Sequence, residues 1–303
     1  MPPTPAIPQL AIKVDGRRIP DQALQDVLEC TVENSLHLPD ACTIRVHDAE
    51  FHWIDQDLFH EGKPVEVLFG QEREPLVTVF QGEITTLDFD LAGQGVPTIT
   101  VRCLDQSHRL HRGRERRTFE NQTDTDVVRG IAREMGFQIQ TEDTREVHPW
   151  TIQNNQTNWE FLQMLAARDG YRLFMADRDV LHFEPVRDET AKETSLDWGG
   201  DLRSFRIRAS AGPQVDEVVV RGWDPQTKQP IVGTARRPQG AAQTGKRSVG
   251  GAVARQAFGA ARETVVDQTV TSQKAAQQVA QSRMDAIGGG FVEADGLCFG
   301  HPE

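Results

Sequence analysis

The sequence predicts a mainly β chain in which two β regions flank a duplicated strand–helix unit. Three observations lead there. Apolar and polar residues alternate with period two over residues 1–104 and again from residue 196. An Asn-Gln-Thr motif recurs at an offset of 34 residues, each time opening a helical pattern. Glycine and proline turn signals separate the alternating runs.

In the first region Leu10, Ile12 and Val14 alternate with Ala11 and Lys13, and Cys42, Ile44 and Val46 with Thr43, Arg45 and His47. Val65–Val67, Val77–Val79 and Thr98–Cys103 continue the pattern, with turns expected at Asp15-Gly16, Glu61–Pro64 and Gly93–Gly95. The parity of the long run from Val77 to Leu91 shifts at Ile84, which predicts a bulge or bend near Gly82. Several short antiparallel strands in a row predict a small barrel or sandwich.

The middle region is a tandem. Asn121-Gln122-Thr123 returns as Asn155-Gln156-Thr157, and the same offset pairs Val127 with Phe161, Val128 with Leu162, Ile131 with Leu165, Ala132 with Ala166 and Gly136 with Gly170. Thr123 with Asp126, and Thr157 with Glu160, have capping-box spacing: the hydroxyl accepts from the amide three residues on, and the carboxylate reaches back. Asp126 is shorter than the usual Glu, so the first box is the weaker. The two glycines suit the left-handed position after a helix. Each copy therefore reads as strand, cap, helix, glycine stop, strand. Two copies of one helix are too few for a helical-repeat stack.

From residue 196 the β pattern resumes with Phe205, Ile207 and Ala209 against Arg206 and Arg208, then Val215–Trp223. Residues 236–262 hold six basic residues (Arg236, Arg237, Lys246, Arg247, Arg255, Arg262) and no acidic one, which predicts a mobile surface loop. A helix is expected over roughly 271–287, with Ala276, Val279, Ala280, Met284 and Ile287 as its apolar stripe and Gly288–Gly290 as its stop. The opening strand from Phe291 is expected to continue into a longer natural chain beyond Glu303.

Composition narrows the function. The 303 residues carry 33 basic and 45 acidic side chains, a formal charge of −12, which argues against general nucleic-acid binding. No run of about 20 apolar residues predicts a membrane span, and the start lacks the basic and apolar stretches of a secretory signal. Cys30, Cys42, Cys103 and Cys298 are scattered; the parity of Cys42 and Cys103 makes them small core residues of a chain folded in a reducing cytosol.

No catalytic constellation stands out. Gly240, Gly245 and Lys246 fit most of a phosphate-binding loop, but Arg247 replaces the Ser or Thr that would hold Mg²⁺, and no buried strand leads in. Asp105, Ser107 and His108 are crowded in a way that nucleophilic triads are not. His47, His52 and His60, near Asp48, Asp55 and Asp57, lack metal-ligand spacing. Asp88 and Asp90 share a strand face without a cleft. The arginines at 102, 109, 112, 114, 116 and 117 read first as a solvated connector and second as a contact for an acidic protein. No catalytic, cofactor or metal residue is assigned.

The residues do carry a resemblance. Arg117–Asp124 with Val127-Val128, Gln156–Leu162 with Leu165-Ala166, Gly170-Tyr171-Arg172, Val215–Val218 with Val220–Asp224, Ala294-Asp295-Gly296 and Gly300-His301-Pro302 resemble the late-control D / VgrG family. Asn158 and His301 depart from its usual Asp and Asn. The resemblance implies a non-enzymatic hub/spike subunit of a contractile injection system, type VI secretion machine or phage tail baseplate, closest to the injection-system branch. It implies a homotrimer in which two tube-type antiparallel β-barrels per chain present six-fold pseudo-symmetry to a hexameric inner tube above a trimeric membrane-piercing spike. Its partners would be itself, the inner tube protein, baseplate proteins, and a spike tip with cargo effector. It would bind no cofactor or nucleic acid, insert stably in no membrane, and assemble in the cytoplasm before joining a tail-like particle. The implied domains are a first barrel at 1–104, the α+β domain at 105–190, a second, incomplete barrel at 191–235 with 291–303, and a basic loop plus helix at 236–290. The rival readings are a cell-wall hydrolase and a nucleic-acid-binding module using the basic segments.

Overall fold

The computed structural model describes residues 8–71, 75–91, 95–186, 195–239, 249–298 and 300. The chain is mainly β, with two β regions flanking an α+β region.

The first region contains β1 (Pro8–Val14), β2 (Arg17–Arg18), α1 (Asp21–Gln25), β3 (Val27–Glu33), β4 (Ala41–His47), α2 (His52–Asp55), β5 (Pro64–Gln71), β6 (Val77–Asp90) and β7 (Thr98–Leu104). The strands form one sheet in the order β2-β1-β5-β6-β7-β4-β3, antiparallel throughout. Its inward residues share one core, in which Ile12, Ile44, Val67, Ile84 and Val101 are fully buried. The two edges of the sheet, β2 and β3, are joined by the short segment carrying α1, whose Ala23 is buried in the same core. The expected irregularity in β6 falls on both sides of Gly82, with register shifts opposite Val67/Leu68 and between Ile84 and Thr86. Gly82 itself serves close approach: a Cβ there would lie 2.3 Å from the Leu104 carbonyl oxygen.

A 3-10 helix (Gln106–His111) leads into β8 (Glu115–Thr123), α3 (Asp124–Glu134), β9 (Gln138–Thr141), β10 (Val147–Gln156), α4 (Asn158–Asp169), β11 (Tyr171–Ala176) and β12 (Val180–Pro185). Both capping boxes form. Thr157 Oγ1 accepts from the Glu160 amide at 3.1 Å while Glu160 accepts from the Thr157 amide at 3.0 Å. The Thr123/Asp126 pair makes the same two bonds at 3.2 Å each. Such a cap contributes about 1 kcal/mol to its helix. Gly136 and Gly170 adopt φ of +78° and +71° after their helices, as the sequence predicts. The repeat extends to backbone strain, since Asn121 and Asn155 both take φ near +50° (50° and 54°) two residues before the cap, a conformation that asparagine tolerates better than other non-glycine residues. The copies interlock. Their first strands pair with each other as β8·β10, while β9 and β11 flank β12 in a second sheet. Val127, Val128, Ile131 and Ala132 meet Phe161, Leu162, Leu165 and Ala166 in one core.

The last region comprises β13 (Leu202–Ala209), β14 (Glu217–Asp224), β15 (Gln229–Ala235), α5 (Gly250–Phe258), β16 (Arg262–Val265), α6 (Gln273–Gly289) and β17 (Val292–Cys298). β14 pairs antiparallel with β15 and in parallel with β16; β13 pairs antiparallel with β17. Helix α6 lays the predicted stripe of Ala276, Val279, Ala280 and Met284 on β14 and β15. The basic stretch at 236–262 departs from the expected loop, because residues 250–258 form α5 and Arg262 opens β16. Gly250 and Gly251 start α5 against Gln214 and the Val215 carbonyl, approaches that leave no room for a Cβ. Residues 240–248, with the phosphate-loop candidates Gly240, Gly245, Lys246 and Arg247, lie outside the described residues. No described helix is long and apolar enough to cross a membrane.

Candidate assembly interface

The β13·β17 ribbon joins segments more than 80 residues apart in sequence, and β17 follows α6 through Phe291, which is buried against Gly250 at the start of α5. The Ser210 amide bonds the Phe291 carbonyl at 2.9 Å and fixes the pair's open end. The register sets Phe205 opposite Gly296, Ile207 opposite Ala294 and Ala209 opposite Val292, which makes one apolar face. The other face sets Arg206 opposite Asp295 and Arg208 opposite Glu293. The Phe205 ring lies over Gly296, where a Cβ would sit 3.1 Å from it. The apolar face is bare, with Phe205 52% and Ile207 63% exposed. A two-stranded ribbon is at best marginally stable in water, and a third strand or a cover is what stabilises such pairs. A second bare apolar patch lies on the β8·β10 ribbon, where Trp150 and Ile152 point outward.

Beneath the second ribbon is a buried polar cluster that ties the α+β region to α6. Asp124, fully buried at the first turn of α3, accepts from the Arg168 guanidinium through both carboxylate oxygens, with Nε 2.9 Å away. His148 Nε2 stands 3.6 Å from Asp124. Asp169 accepts from Gln278 of α6 at 2.9 Å. Burial, and then the neighbouring Asp124 carboxylate, push the Asp169 pKa up to about 8. Burial, and then Arg168, hold the His148 pKa below its ordinary value. An unfolded Asp titrates near 3.9, so between about pH 4 and 8 the unfolded chain has released a proton that the folded chain keeps. Asp169 therefore erodes stability as pH rises through that window, and His148 erodes it as pH falls below about 6.5. Asp169→Asn, which still accepts from Gln278, is expected to match the parent at pH 4 and to exceed it by about 1–3 kcal/mol at pH 8, as read from urea unfolding at both pH values.

The sequence candidates do not converge. Asp105 caps the 3-10 helix through the Ser107 amide (2.7 Å) and also accepts from the Asp40 amide (2.7 Å), while His108 bonds Glu83 at 3.2 Å. These three residues are structural and form no relay. His47 faces Asp26, His52 faces Gln56 and His60 faces the Glu61 carbonyl, each on its own. Among the described residues no cluster of His, Cys, Asp or Glu is suited to a metal. Asp88 pairs with Arg102 across two strands. Four of the six connector arginines are engaged within the chain: Arg102 with Asp88, Arg109 with Glu83, Arg114 with Glu160, and Arg117 with Glu134, Gln153 and Asn158. Arg236 and Arg262 share Glu217, and Arg255 pairs with Asp216. Cys42 and Cys103 are core residues, as their parity predicts, and all four cysteines are free. The bare faces were partly legible: the Phe205/Ile207 alternation marks a strand, but the sequence does not say that its apolar side goes uncovered.

Known structures share this mainly β fold with its interlocked α+β tandem. The fold is shared with the 43 kDa tail protein of prophage MuSo2 from Shewanella oneidensis (TM-score 0.69, 16% identity, covering 97% of this chain and 83% of that one). It is shared also with a tail protein from Neisseria meningitidis MC58 (TM-score 0.66, 12% identity, 97% and 80% covered). Prophage tail protein gp18 from Listeria monocytogenes EGD-e is similar at lower likeness (TM-score 0.52, 12% identity, 89% and 76% covered). No curated protein matches the chain in sequence. The chain belongs to the Alg8 N-terminal domain family, whose model matches residues 5–290.

Proposed function

We propose that this chain is a non-enzymatic structural hub subunit of a contractile injection machine or phage tail baseplate, working as a homotrimer that adapts a hexameric inner tube to a trimeric spike. The observation that carries the reading is the β13·β17 ribbon: an apolar strand face left exposed among the described residues is a surface for another subunit, and a closed ring uses each such face once. The tail-protein fold and the sequence resemblance support the same role. Under this reading the first β region, the α+β region and the last β region act as three domains near the boundaries 104 and 190, with 236–290 belonging to the last. The inner tube protein, baseplate proteins and a spike tip carrying cargo are its partners.

Light scattering after size exclusion tests it. At micromolar concentration the mass is expected at three times the 33.9 kDa chain. Phe205→Asp with Ile207→Asp is expected to give a folded monomer, because two carboxylates on that face are desolvated by assembly. A monomeric parent chain overturns the proposal. A trimeric double variant moves the interface away from the ribbon.

A further inference from the structure

Between the three regions lies a groove of about 1250 Å³, larger than the roughly 300–1,000 Å³ of an ordinary small-molecule pocket. One wall is six consecutive residues, 263–268, covering the end of β16 and the chain just beyond it. Successive side chains of a strand point to opposite faces. A groove that touches Glu263, Thr264 and Val265 in succession is therefore looking at the strand's edge. That edge is open: in the order β15-β14-β16, β16 has β14 on one side and no strand on the other among the described residues. It carries no proline or lysine, and its charged side chains are already paired, Arg262 with Glu217 and Glu263 with Arg283. The opposite walls come from α4 and β11 (Gln163, Ala167, Tyr171) and from α6 (Ser282, Ala286).

Among the described residues the charge in the groove has one sign in excess. Glu263, Asp267 and Asp285 line it against the guanidinium of Arg283, which Glu263 already holds at 2.6 Å. Val266, next to Asp267, is exposed beside the opening. Two wall glutamines each keep a polar atom without a hydrogen-bond partner, Nε2 of Gln163 and Oε1 of Gln268. A side-chain rotation would offer a donor and an acceptor to an incoming amide backbone.

From the open β16 edge and the acidic lining together, we propose that this groove binds an extended, lysine- or arginine-bearing peptide segment of a partner protein as an added strand on β16. Main-chain bonds to the edge would supply affinity, and Asp267 and Asp285 would select basic over acidic side chains. The inference goes beyond the hub reading and does not depend on it.

A displayed random library of peptides about twelve residues long, selected on the full chain, tests it. Enriched peptides are expected to be net basic and rich in β-branched residues, and to protect the amides of residues 262–266 from hydrogen exchange. Asp267→Lys is expected to weaken them about five- to tenfold, while the distant exposed Glu50→Lys leaves them unchanged. Circular dichroism checks that both variants fold. A selection that yields no binder overturns the proposal. So do binders that are acidic or uncharged, binders indifferent to Asp267→Lys, and binders whose protection maps to the β13·β17 ribbon.

Discussion

Asp124→Ala is expected to lower the unfolding free energy by about 3–5 kcal/mol, because it leaves the Arg168 guanidinium buried without its counter-ion. The carboxylate lies in the interior at the N-terminal turn of α3, where it also faces the positive end of the helix dipole. Both of its oxygens are used by Arg168, and His148 stands beside it. Removing Asp124 alone strips Arg168 of its partner, and removing both charges is far gentler. A double variant, Asp124→Leu with Arg168→Met, is expected to recover most of the loss, since well-packed apolar replacements of buried ion pairs are often neutral. Urea unfolding of the three proteins at pH 7 decides the matter. A loss below about 1 kcal/mol for Asp124→Ala would mean that water reaches the cluster.

Gly233→Ala is the second large effect. Strand β15 touches helix α6 backbone to backbone there: a Cβ would stand 2.0 Å from the Ala276 carbonyl oxygen and 2.6 Å from the Gln277 nitrogen. Neither neighbour can step aside, because Gln277 also clamps the strand through the Thr234 amide and carbonyl, at 3.1 and 2.8 Å. The helix must lift, and with it the packing of Ala276, Val279 and Ala280 on Val218 and Val220. The expected loss is about 3 kcal/mol or more, at the upper end of overpacking changes. Gly289→Ala, in the same helix with nothing within 4 Å, is the control and is expected to be neutral or to stabilise by up to about 1 kcal/mol. Thermal melts of the two variants side by side separate the steric effect from helix propensity.

The contrast between what was legible in the sequence and what was not follows the range of the interactions. Capping boxes, the glycines after α3 and α4, the α6 stripe and the alternating strands of the first region act within a turn or a strand, and all can be read from residue order. Helix α5 could not, because Gly250 and Gly251 look like loop residues until the Val215 carbonyl packs against them. The parallel β14·β16 pairing depends on a crossover from one element to another far along the chain. The Asp124–Arg168 pair spans 44 residues and carries no local signal. The connector arginines read as solvated because their carboxylate partners sit 14 to 46 residues away. The candidate interface was half legible: residue alternation gives the strand and its apolar side, but exposure is a property of what fails to pack there.

The interlocked tandem bears on how the chain can be divided. Since β8 finds its partner in the other copy and β9 reaches its own sheet only through the strand that follows that copy, one unit alone has no complete sheet. A single unit cut from this chain would leave β8 without β10, or β9 without β12. A tether of only a few residues, from 142 to 146, holds the two halves at a high effective concentration for that pairing. The two halves are not identical: the first cap has the shorter carboxylate and the second the tighter bonds.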